Sequence, residues 1–86
     1  MTRLWPDGEA LEVWGGEETP VGFARQATSH RVLKVYNRWR IHTRWWEPSE
    51  TIWREYWKVV TTNTGLLCLI YCDLLSGDWF LARLYD

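Results

Sequence analysis

The chain has 86 residues, of which 47% are hydrophobic and 16% aromatic, and its net charge is −1. That is enough apolar mass for one small core without disulfides or metal, which argues against disorder and against two domains of ordinary size. The longest apolar run, Leu66–Cys72, falls far short of the ~20 residues that span a bilayer, and no signal-peptide pattern follows Arg3, so a cytoplasmic protein without membrane contact is expected.

The charge is unevenly spread. Residues 1–24 hold Arg3 against five acids, residues 25–58 hold eight Arg or Lys against three Glu, and residues 59–86 hold Arg83 against three Asp. A basic middle between acidic ends permits contact with nucleic acid or an acidic partner, although the pI of about 6.1 is far from that of a typical DNA-binding domain.

In chain order, residues 1–8 read as a loose start ending in a Pro6-Asp7-Gly8 turn. Ala10–Trp14 alternates Leu11 and Val13 against Glu12 and Trp14, as a short edge strand does. An exposed edge there is compatible with pairing of two copies. Gly15–Pro20 reads as an acidic loop, and Val21–Arg25 as another short strand with Val21 and Phe23 on one face. Residues 1–20 thus form an N-terminal segment ahead of an aromatic-rich β domain at 21–86.

From Arg31 to Thr43 the period of two lengthens. Leu33, Val35, Trp39 and Ile41 share one face, and Val32, Lys34, Tyr36, Arg38, Arg40 and His42 the other. Asn37 interrupts the apolar row, which marks a bulge or a bend where the strand changes partners. Trp45-Trp46-Glu47-Pro48-Ser49 breaks the pattern. Residues 50–58 are ambiguous: Ile52, Trp53, Tyr56, Trp57 and Val60 fit helical spacing, whereas Trp57–Thr62 favours strand. We take a strand from about Trp53 to Thr62.

Asn63-Thr64-Gly65 and Ser76-Gly77 supply turns on either side of Leu66–Asp73, a strand apolar on both faces. Asp78–Tyr85 is the last strand, with Trp79, Leu81 and Tyr85 on one face and Phe80, Ala82 and Leu84 on the other. The expected fold is all-β, five or six antiparallel strands ending in a meander, as a strongly curved sheet or small open barrel.

No residue pattern points to catalysis. The chain has no nucleophile-elbow Ser or Cys, no Gly-rich phosphate loop and no paired-carboxylate spacing, so a non-enzyme without cofactor is expected. Cys68 and Cys72 on one strand lie ~13 Å apart, beyond the ~7 Å that a disulfide tolerates, and read as small apolar core residues. His30 and His42 complete no zinc spacing with them.

The constellation that remains is Arg38, Arg40, Arg44, Trp45, Trp46, Arg54, Tyr56 and Lys58. Three uses compete for it. Cations along a backbone with aromatics that stack bases suit single-stranded nucleic acid. Trp45 and Trp46 beside arginines suit anchors in a protein interface. In the third, Trp39, Trp53 and Trp57 are core, and the arginines pair with Glu50, Glu55 or Asp73.

The series Asn37-Arg38-Trp39-Arg40-Ile41, Trp45-Trp46, Arg54-Glu55-Tyr56-Trp57-Lys58-Val59, Gly65-Leu66-Leu67, Ile70-Tyr71-Cys72-Asp73-Leu74 and Gly77-Asp78-Trp79-Phe80-Leu81 through Leu84-Tyr85-Asp86 resembles the C-terminal tail of ImuB-type proteins. Those are catalytically inactive relatives of Y-family translesion DNA polymerases. The series is also similar to a family of stand-alone small bacterial domains of unknown function. The resemblance covers roughly residues 21–86 and implies an interaction module whose partners are DNA-repair or polymerase proteins. Single-stranded DNA is the alternative partner.

Overall fold

A computed structural model of the chain describes residues 3–15, 19–43, 46–47, 49, 51–62 and 65–85, those of 3–7 as backbone. Six strands follow one another: β1 (Arg3–Gly15), β2 (Pro20–Arg25), β3 (Thr28–Thr43), β4 (Ile52–Thr61), β5 (Leu67–Asp73) and β6 (Trp79–Tyr85). Each pairs antiparallel with the next, and β1 pairs with β6, so the meander closes into a small barrel. Residues 52–58 are strand. Tertiary pairing on both sides of β4 overrides the helical spacing of its aromatics.

β1 and β3 are longer than the sequence suggests, because each changes partner partway. β1 pairs with β6 through Leu11 and with β2 from Glu12 onward. β3 pairs with β2 over Thr28–Arg31 and with β4 from Val32 to Thr43. Pro6-Asp7-Gly8 therefore does not end a loose segment. The strand runs through it at an irregularity between Leu4 and Glu9, where Gly8 takes a φ of +79° and the missing proline N–H falls in a broken ladder.

The core lies where the two halves of the barrel face each other. Phe23, Trp57, Val59, Cys68, Ile70 and Leu81 are its buried members, and Leu11, Val13, Val32, Val35, Trp79 and Leu84 pack against them. Two β3 bulges, at Val32/Lys34 and Val35/Asn37, reset the alternation. Val35 then joins Arg38, Arg40 and His42 on the inward face, while Trp39 and Ile41 point outward. The interruption expected at Asn37 is thus a bulge, and Asn37 Oδ1 accepts the Arg38 backbone N–H at 2.9 Å. A further shift on the β5–β6 ladder leaves Ala82 unpaired, so Leu81 and Leu84 both face the core instead of lying on opposite faces.

The molecule extends 42 × 31 × 24 Å along its principal axes, and the two bulges interrupt the β3–β4 ladder before Asn37. Beyond the stretch that β2 covers, β3 is the outer strand of a wall that continues through β4 and β5, and towards the hairpin tip, at Ile52 and Trp53, β4 pairs with β3 alone.

Candidate interaction surface

The two strands of the β3–β4 hairpin hold Arg31, Lys34, Arg38, Arg40, Arg54 and Lys58 against the single acid Glu55, and the sequence between them adds Arg44, Glu47 and Glu50. Cross-strand register sorts them. Arg38 lies opposite Trp57 and Arg40 opposite Glu55, on the inward face where the barrel mouth opens. Glu55 is 8% exposed, and its Oε2 accepts from Arg38 Nε at 3.0 Å and from Arg40 Nε at 2.8 Å. Burial pushes the Glu55 carboxyl up, but the hydrogen bonds and charges of the two arginines outweigh this and hold it below its ordinary value. The Arg38 guanidinium also sits 4.5 Å from the Trp57 ring centre. Two cations share this one carboxylate, and the Arg38 and Arg40 side chains remain 43% and 60% exposed.

Arg54 and Tyr56 lie on the opposite, outward face. Arg54 Nη1 donates to Tyr56 Oη at 3.3 Å, and its guanidinium lies 4.6 Å from the Tyr71 ring centre. The hydrogen bond that Arg54 donates to Tyr56 raises the Arg54 pKa; burial opposes this, and nearby Tyr71, Tyr56 and Asp73 reinforce it. Across four strands runs an aromatic row that sequence reasoning missed: Trp39 on Tyr56 at 5.4 Å, Tyr56 on Tyr71 at 5.1 Å, Tyr71 on Phe80 at 5.2 Å. Such pairs contribute ~0.5–1.5 kcal/mol each beyond burial. The rings stand on edge and cover one another's faces, with Tyr71 only 3% exposed. The row is therefore a staple across the wall and not a set of open platforms for bases. Its signal in the sequence was an aromatic at one register position on each strand, visible only once the strands are aligned.

The hairpin tip gathers exposed apolar side chains. Trp53 is 37% exposed and stacks on His42 at 5.0 Å, Ile52 is 40% exposed, and Trp46, in the connection beyond β3, is 65% exposed. The Leu74 N–H donates to Trp53 O at 2.8 Å, which brings the exposed Leu75 to the same end. Arg44 and Trp45 lie outside the described residues. Of the other sequence-predicted site residues, Arg38 and Arg40 are together, Arg54 and Tyr56 are together on the other face, and Trp46 is exposed in the connection beyond β3. The described arginines thus form no single track.

Cys68 is buried, and burial pushes its thiol up to about 11; Cys72 is half-buried, its thiol also raised by burial, and both are free. Among the described residues no three His, Cys, Asp or Glu gather as metal ligands, and no helix is long and apolar enough to cross a membrane. Comparison with protein-family models, with curated proteins and with solved structures finds no match to the chain.

Proposed function

We propose that the protein is a non-enzymatic interaction module of the cytoplasm that recruits DNA-repair or translesion-synthesis proteins through its β3–β4 hairpin. The observation that carries the reading is the hairpin itself: Tyr36, Ile52 and Trp53 are exposed on two strands that together hold six cations and one acid. Exposed aromatics among arginines are the composition of binding hot spots. The pathway rests on the resemblance of residues 21–86 to ImuB-type tails. The divergence of Arg38 and Arg40 from Arg54 favours a protein partner over a single strand that would need one continuous cationic track.

The test is photo-crosslinking in cells, with a diazirine amino acid at Trp46 or Trp53 and, as control, at Gln26 on the exposed turn between β2 and β3. The reading expects adducts with repair or polymerase proteins from the first two positions and none from Gln26. Equal adducts at Gln26, or adducts confined to proteins outside DNA metabolism, would reject it. Saturable binding of a single-stranded oligonucleotide at micromolar strand would transfer the function to nucleic acid.

A further inference from the structure

We propose that the open edge of β3, from Val32 to Thr43, takes an extended acidic segment of another protein as an added strand, read as an acidic–aromatic–acidic alternation centred on Trp39. The inference rests on the hairpin being the interaction surface and specifies the chemistry of what binds there.

A closed ring of strands leaves no free edge within the ring, but β3 runs on past its pairing with β2. β4 occupies one edge of β3 from Val32 to Thr43, whereas β2 occupies the other only from Thr28 to Arg31. Among the described residues no strand pairs with that second edge over the next 12 positions. Bulges disturb its first part. From Asn37 to Thr43 the register is unbroken, a regular template of ~20 Å at ~3.3 Å per residue. An edge of this kind binds by main-chain hydrogen bonds, and its side chains select the sequence.

Charge selects the occupant. β3 carries Arg31, Lys34, Arg38 and Arg40 and no acidic residue. A second copy adding its own β3 would set arginine against arginine, which is unfavourable for directly opposed residues. An acidic strand meets Arg38 and Arg40, which are partly exposed and share one carboxylate. Arg40 commits its Nε to Glu55 and is 60% exposed, so its terminal nitrogens are placed to meet a further carboxylate.

The outward face supplies the aromatic preference. Trp39 stacks one ring face on Tyr56 with 5° between the planes. Its other face looks away from β4, over the open edge. A strand added at the usual ~4.8 Å spacing would place its opposing side chain there as the next ring of the row. Residues flanking that ring would lie on the inward side, opposite Arg38 and Arg40.

The experiment titrates the full chain with the blocked peptide Glu-Thr-Glu-Tyr-Glu-Thr-Glu by calorimetry and maps amide exchange on the complex. Two further peptides carry backbone N-methyl groups on alternate residues, one in each phase. The proposal expects saturable binding that weakens about tenfold between about 20 and about 300 mM salt, with new protection within Val32–Thr43. It expects one methylated phase to lose at least about tenfold and the other to bind like the parent, because alternate amides of an added strand face its neighbour. Equal binding by both phases, equal binding by the Gln-for-Glu peptide, no saturation up to about 1 mM, or dimerisation of the chain through this edge would overturn it. Loss of peptide binding with the Trp46 and Trp53 crosslinks intact would remove this inference and leave the interaction reading standing; loss of both would remove both.

Discussion

One carboxylate oxygen, Oε2 of Glu55, accepts from two arginines whose heads are otherwise partly solvated. Unfolded, that carboxyl titrates near 4.5; folded, it is held lower despite its burial. The stabilisation is therefore complete above the unfolded value and is lost as pH falls through the folded one. His30 acts earlier. It is 7% exposed, stacked on Phe23 at 5.2 Å, and its Nδ1 has no hydrogen-bond partner among the described residues. Burial first, and Arg25 second, hold it below 6.5. The unfolded chain gains a proton near 6.5 that the folded chain resists, so stability begins to fall below that pH. A Tm profile should decline in two stages, with His30→Gln removing the upper and Glu55→Gln the lower. A single stage in the wild type would contradict this. Because the arginines are partly exposed, Glu55→Gln should cost only about 1–2 kcal/mol at neutral pH. Gly8 is less forgiving. A Cβ there would lie 2.5 Å from Tyr71 Oη and 2.8 Å from Phe80 Cβ, at a φ of +79°. Gly8→Ala should lower stability by about 2 kcal/mol or more in urea unfolding.

At the scale of elements, the sequence showed strands where alternation was long and turns where glycine was present. Gly65 and Gly77 do take positive φ, at 65° and 81°. The turn between β2 and β3 was not legible. Gln26 and Ala27 sit at φ of 48° and 65° in a two-residue hairpin connection, with Arg25 paired to Thr28. Neither residue is a usual occupant of the left-handed region. Ala27→Gly should relieve that strain and raise stability by about 0.5–1 kcal/mol; a loss would mean that chain entropy outweighs it. The faces of β3 and β6 were misassigned for a related reason. Counting by two places Val35 with Trp39 and Leu84 opposite Leu81, and each bulge shifts every later side chain by one face. Asn37 announced its bulge by standing polar in an apolar row. Ala82, apolar within an apolar strand, announced nothing. The candidate site fared likewise: Trp46 was foreseen as exposed, but the division of the arginines depends on those bulges.

For the molecule as a whole, the antiparallel meander was legible from successive strands and turns, and closure was not. Pairing of Arg3 and Leu4 with Leu84 and Arg83 joins opposite ends of the chain, which no local pattern reports. Deleting residues 1–11 should therefore do more than trim a terminus: it would remove every β1 partner of β6 and open that edge, and concentration-dependent association with a broadened thermal transition is expected. A monomer with unchanged cooperativity would show that closure is dispensable. The barrel's role, on this account, is to hold the β3–β4 hairpin rigid with one edge and an aromatic tip uncovered. The most direct test is amide exchange of the chain alone and bound to the partner recovered by crosslinking. The account predicts new protection across Val32–Thr43 and residues 51–53, with β1 and β2 unchanged. Protection confined to β1 and β2, with the hairpin exchanging as in the free chain, would contradict it.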